Sequence, residues 1–268
     1  MMSAHQVQCA PTNSSSDSQA LWKYSPTTSF YLAILLALLF VSMRLMGMLG
    51  PAQLRWVLPL SFVLMAFTPL MLLSSYGRMH IGFSTPKMRG SYVISMAFGA
   101  GAAAICFIVG FWLFASSADH WFISIGNYYH QSLDTTGFSL IKLHLFFTIP
   151  AILFSPIGEE IFFRGVLQRA LEGKFSERTS TQLECAAFGL IHLCHHGLTV
   201  GVLGISSIHL GVSPISATLW VVLMFSVAYL FAFLRKRTDS IYPAIFSHAT
   251  FNITMNTIIF GYLWQYVG

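Results

Sequence analysis

From position 28 onward apolar residues dominate the chain, in long runs separated by short polar connections. A spanning helix needs about 20 mostly apolar residues. The pattern predicts spans at Ser29–Leu49, Trp56–Leu73, Tyr92–Ala115, Leu140–Phe154, Thr181–Cys194, Ile215–Leu234 and Ile241–Tyr262. The fourth and fifth are short or interrupted by polar groups. Leu198–Val212 is too rich in Gly and Ser for a span and reads as a loop or a short re-entrant piece. The expectation is an all-α polytopic membrane protein with seven or eight transmembrane helices, in one domain over 28–268. Residues 1–27 are polar and rich in Ser, Thr and Gln. They lack the basic start and apolar core of a cleaved signal peptide and read as a flexible, cytoplasmic leader.

Composition agrees. Only 9% of the 268 residues are charged and 55% are hydrophobic, against about 25% charged in an average soluble domain. So few charges suit a surface solvated by lipid. The net charge of +5 comes from clusters between the apolar runs, with no basic stripe interleaved with aromatics, so nucleic acid is excluded as a partner and the bilayer is implied. Arg78, Lys87 and Arg89 share one set of connections with Arg164, Arg169, Lys174 and Arg178, and with Arg235, Lys236 and Arg237. Residues 116–138 and 197–213 contain neither Lys nor Arg, and the first holds Asp119 and Asp134. Basic loops face the cytoplasm, which puts the N-terminus there. Arg44, Arg55 and Lys142 break the pattern. Cys9, Cys106, Cys185 and Cys194 show no CxxC spacing and read as small hydrophobes.

Ionisable residues inside apolar runs point to function by default. In Ser155-Pro156-Ile157-Gly158-Glu159-Glu160-Ile161-Phe162-Phe163-Arg164-Gly165, Pro156 is expected to interrupt one helix, with Ser155 capping the next. At about 100° per residue, Arg164 lies about 40° from Glu160 and about 140° from Glu159. Arg164 should therefore pair with Glu160 and leave Glu159 free. The bland account is a surface ion pair at a helix end, which the flanking Leu-Phe and Ile-Phe-Phe disfavour. Phe188 precedes His192 by one helical turn, well inside its expected span, whereas His195 and His196 read as interfacial next to Gly197. His248 and Asn252 share a face at i, i+4, which a structural interhelical contact would also explain. Lys142, His144 and His209 have no evident partner.

Depth links the three places. Glu159 lies 11 residues before Ala170, His192 lies 12 after Ser180 and His248 lies 9 after Asp239. Each is therefore roughly 13–18 Å into a core about 30 Å thick. The Leu140–Ala170 stretch is too long for one straight span and should bend or break at Pro150 or Pro156.

The ordered set Glu-Glu-x-x-x-Arg, Phe-x-x-x-His, His-x-x-x-Asn resembles the CAAX prenyl endopeptidase and bacteriocin-processing (Abi) family of membrane-embedded peptidases. The motif residues are Glu159, Glu160 and Arg164, then Phe188 and His192, then His248 and Asn252, all within 150–256. The resemblance implies a helical fold around a cavity open to lipid and cytosol, and a hydrophobic or prenylated protein or peptide substrate. It further implies that Glu159 with His192 activates a water and that His248 and Asn252 stabilise the oxyanion, with Glu160, Arg164 and Phe188 supporting. Gly-Glu-Glu-Ile-Phe-Phe-Arg-Gly looks more like bacterial members, which implies a bacterial plasma membrane. The family has also been described as metalloproteases, and Glu159, His192 and His248 are an acceptable zinc set. The metal-free form is preferred here, because one Glu serves poorly as both ligand and base. The same polar cluster would also serve a proton relay or a non-catalytic immunity protein. No His-Glu-x-x-His or Gly-x-Gly-Asp is present, and Ser206-Ser207 with His209 is a poor imitation of a Ser/His pair.

Overall fold

The computed structural model describes residues 20–86, 88, 90–133, 135–201 and 204–268. Cys9, most of the polar leader, Lys87, Arg89 and Asp134 lie outside the described residues. From Ala20 the chain is docked. Trp22 is buried and bridges Leu73, and the Ser74 hydroxyl donates to the Ala20 carbonyl at 2.5 Å.

Nine helices and one hairpin follow among the described residues. They are α1 (Pro26–Leu49), α2 (Val57–Leu72), a short α3 (Ser75–His80), α4 (Ser91–Phe114), α5 (Trp121–Ser132), α6 (Leu140–Glu172) and α7 (Glu177–Ile191). Antiparallel strands β1 (Leu198–Gly201) and β2 (Gly204–Leu210) precede α8 (Pro214–Thr238) and α9 (Tyr242–Ile258). Each of the seven expected apolar segments is thus a helix. Leu198–Val212 is instead a β-hairpin rather than a re-entrant helix, because pairing across Thr199 and His209 satisfies the backbone of a Gly-rich stretch. Among the described residues, five helical stretches are long and apolar enough to cross a membrane: Pro26–Leu49, Ala52–Leu72, Ser91–Phe114, Leu140–Glu172 and Pro214–Thr238. Helices α7 and α9 are shorter, at 15 and 17 residues. The protein is a multi-pass helical membrane protein.

Helix starts follow local chemistry. Ser25, Ser139, Ser176 and Ser213 each accept a backbone N–H of the first turn, and Pro26 and Pro214 take the first helical position where no N–H is needed. The connection 116–138 holds an unexpected helix, α5, whose Trp121, Phe122, Ile123 and Ile125 are buried. Its N-cap is His120, whose Nδ1 accepts the Phe122 N–H at 3.1 Å. Burial pushes the His120 imidazole down to about 4, so the cap stays neutral at physiological pH.

The closest helix packing rests on small residues. Buried Ser91, Ser95, Gly99 and Ala103 repeat every fourth position on α4, and a Cβ at Gly99 would lie 1.9 Å from the Ser247 carbonyl oxygen of α9. Lipid supplies no hydrophobic force between helices, so close approach through small residues is what holds them. Gly99→Ala should therefore destabilise by about 1–3 kcal/mol through overpacking. Gly101→Ala, where a Cβ meets nothing within 4 Å, should not. Thermal unfolding in detergent distinguishes the two. Gly158 does the same for α6, since a Cβ there would sit 2.3 Å from the Phe62 carbonyl oxygen of α2.

Candidate active site

Helix α6 carries both acidic motif residues. It does not break at Pro156. Both Pro150 and Pro156 lie inside one continuous helix, so Ser155 is not an N-cap and Glu159 is not in a first turn. The same Ser-Pro pair that starts α1 and α8 fails here because a break would expose backbone polar groups at bilayer depth. One turn later, Glu160–Leu167 is wound as a π-helix with every residue buried. Such widened turns occur mostly at functional sites, and here both Glu159 and Glu160 are fully buried.

Arg164 pairs with Glu160 as the helix angles predict, Nε lying 3.2 Å from Oε2. The same Nε lies 3.3 Å from Oε1 of Glu184 on α7, a partner the motifs did not indicate. None of these atoms has hydrogen-bond alignment, so the contacts are ion pairs held by charge. The Arg164 guanidinium also sits 4.3 Å from the centroid of Phe188, which gives that motif residue its role. The other Glu160 oxygen accepts from His248 Nδ1 at 2.8 Å, and Phe231 stacks on the His248 ring at 5.0 Å. With Nδ1 committed, His248 presents Nε2, an acceptor in the neutral ring and a donor once protonated.

Glu159 is not free, contrary to the helix-angle expectation. Its Oε1 accepts from Nη2 of Arg44, 115 positions earlier on α1. Its Oε2 accepts from the Ser155 hydroxyl at 2.8 Å and lies 3.6 Å from His248 Nε2. The angles excluded Arg164 correctly but could not see a cation on another helix. Arg44 had appeared only as an exception to the charge pattern. It is 1% exposed and is a central residue of the site.

A cavity of about 460 Å³ lies beside this cluster. Its wall is mostly apolar, including Phe62, Phe146, Phe154, Trp220 and Phe251, with Arg44, Ser155, His192, His195, His248 and Asn252 as polar points. Glu159 itself is behind the wall. His192 opens a 3₁₀ turn, His192–Cys194, that directly follows α7. Its Nδ1 donates to the Phe188 carbonyl at 2.7 Å, leaving Nε2 as a lone-pair acceptor in the neutral ring. His195, expected at the interface, stacks on His192 at 5.3 Å and lines the cavity. His196, also expected there, is buried and donates to Ser216 at 2.6 Å. Asn252 donates to the Ala151 carbonyl of α6 at 2.8 Å. The structure thus brings Glu159, His248, Asn252 and His192 around one cavity.

Of the residues without evident partners, His144 bonds Thr257 at 3.1 Å and His209 bonds the Ser207 carbonyl within the hairpin, both away from the cavity. Among the described residues no three His, Cys, Asp or Glu side chains are placed to hold a metal ion. Within the expected zinc set, a guanidinium occupies one Glu159 oxygen and repels a second cation there. This arrangement does not fit zinc on Glu159, His192 and His248.

Residues 141–254 match the family model of type II CAAX prenyl endopeptidase Rce1-like proteins. That stretch contains every motif residue from Glu159 to Asn252. No curated protein and no solved structure matches the chain.

Proposed function

The chain carries an Rce1-like CAAX prenyl endopeptidase domain over residues 141–254, and from that premise we propose that it is a glutamate-dependent intramembrane endopeptidase acting on a hydrophobic or prenylated protein or peptide. The observation that carries this reading is the pairing of Glu159 with His248 at 3.6 Å beside an apolar cavity that His192 and Asn252 also line. An apolar cavity with a few convergent polar groups is what binding an apolar chain and cutting beside it requires.

In the proposed reaction Oε2 of Glu159, the oxygen that faces Ser155 and His248, takes a proton from a water held against His192 Nε2. The water oxygen bonds to the scissile carbonyl carbon. His248 Nε2–H and the Asn252 amide hold the developing oxyanion, fixed donors in a low-dielectric site being worth most there. Collapse breaks the C–N bond, and the proton on Glu159 passes to the leaving amine. Glu159, Glu160 and Glu184 face the guanidiniums of Arg44 and Arg164, three carboxylates against two cations, so one further proton neutralises the cluster. The roles of Glu160, Arg164 and Glu184 are to hold His248 in place. The expected orientation, with the N-terminus cytoplasmic, is supported by the Lys and Arg placement, and a bacterial plasma membrane by the likeness of Gly-Glu-Glu-Ile-Phe-Phe-Arg-Gly to bacterial members.

The test is cleavage of prenylated and unprenylated hydrophobic C-terminal peptides by the protein reconstituted in vesicles, with Glu159→Gln alongside. Activity should survive a strong chelator. Loss on chelation with restoration by Zn²⁺ would overturn the metal-free mechanism, and full activity in Glu159→Gln would overturn the role of Glu159.

A further inference from the structure

Arg44 stands between the cavity and the residue assigned as base. It lines the cavity, whereas Glu159 behind it is fully buried. Only Nη2 of the guanidinium is engaged. Nε and Nη1 are buried and have no hydrogen-bond partner among the described residues, and the plane rests 5.2 Å from the centroid of Phe62. A buried donor without a partner is costly, and a guanidinium presents its donors as a fork shaped for a carboxylate. Among the described cavity-lining residues none is Asp or Glu, while a second cation, Arg55, lines the wall with its nitrogens on the Ser132 and Gln131 carbonyls. The cavity is therefore apolar and electropositive, suited to a hydrophobic chain that ends in one negative charge.

We propose that Arg44 is the receptor for the C-terminal carboxylate of the peptide substrate and, until that carboxylate arrives, a latch on Glu159. This rests on the peptidase reading above. A leaving fragment of three residues would extend about 10 Å from the scissile carbon. Arg44, held against Glu159, meets such a carboxylate by swinging off Glu159 along the cavity wall that it lines. The swing exchanges one carboxylate partner for another, satisfies the idle nitrogens and frees the second Glu159 oxygen for proton transfer. Substrate recognition and activation of the base are then one event, and peptides without a free C-terminus meet a latched enzyme. The two arginines that broke the charge pattern thereby find a common purpose.

The experiment compares a hydrophobic peptide ending in a free carboxylate with the same peptide amidated at its C-terminus, using the full reconstituted protein. Wild type should cleave the acid with kcat/KM at least about tenfold above the amide, with both KM and kcat contributing. In Arg44→Gln the ratio should fall to about one, and Arg44→Lys should keep part of it. Binding is measured separately on Glu159→Gln, using the tripeptide product as acid and as amide. There the latch is open, so the acid should bind more tightly than to wild type, and the amide should not. Equal handling of acid and amide by wild type, or an undiminished ratio in Arg44→Gln, overturns the proposal. Should Arg44→Gln fail to fold, the binding comparison in Glu159→Gln decides alone. If Glu159→Gln cleaves normally, the peptidase mechanism fails instead, while the acid-to-amide ratio still judges Arg44.

Discussion

Glu159→Gln is expected to lower the cleavage rate about 10³-fold, within the 10²–10⁴ that a positioned general base contributes. The substitution keeps the size of the side chain. Its amide oxygen still accepts from Ser155, while the neutral amide holds the Arg44 guanidinium only weakly. What it lacks is a basic oxygen. The loss should therefore fall on kcat, and KM for a peptide ending in a free carboxylate should not rise, because Glu159 lies behind the cavity wall and Arg44 is released to the substrate. Single-turnover cleavage in vesicles separates the two parameters, and an unchanged unfolding temperature shows that the protein is intact. A drop of less than tenfold would assign the base elsewhere.

The second large effect concerns stability. Arg164→Met should cost about 3–5 kcal/mol, the range for removing one partner of a buried ion pair. Glu160 and Glu184 are both fully buried and both face Arg164 Nε, at 3.2 and 3.3 Å. Without the guanidinium, two carboxylates are left facing each other in low dielectric with no cation between them. The loss also removes a donor to the Ala228 carbonyl of α8 at 3.3 Å and the cation that rests on Phe188. Adding Glu184→Gln to Arg164→Met should recover a substantial part of the loss, since one of the two charges is then gone. Unfolding midpoints in detergent measure both. A single variant as stable as wild type would show that the cluster is held by packing alone. Activity should fall with stability, because Glu160 positions His248 at 2.8 Å.

Much of this site was legible from residue order. Relations inside one helix follow from its pitch, so Glu160 could be matched to Arg164 and separated from Glu159. The spacing of His248 and Asn252 placed them on one face, and both line the cavity. Capping chemistry does start α1, α6, α7 and α8 in the fold. It misread Ser155-Pro156 because the cap signature is local, whereas the demand to keep backbone hydrogen bonds closed comes from the membrane around the segment. The winding of Glu160–Leu167 into a π-helix had no sequence signal. Glu184 was hidden in the most polar of the apolar segments, although its position one turn before Phe188 could have marked it.

Apolar run length determined that the chain is a helical membrane protein, and the three spaced motifs picked out Glu159, Glu160, Arg164, His192, His248 and Asn252 among the polar residues at its centre. Both are properties of short stretches, fixed by the rise and pitch of a helix and by bilayer thickness. Tertiary structure alone decided what Glu159 touches. Its partner Arg44 is 115 positions away on α1, and no periodicity links two helices that distant. Their pairing depends on how closely the helices approach, which in turn depends on small residues such as Gly158 against the Phe62 backbone. A residue that looked like an irregularity in charge placement became, through packing, the cation that guards the base.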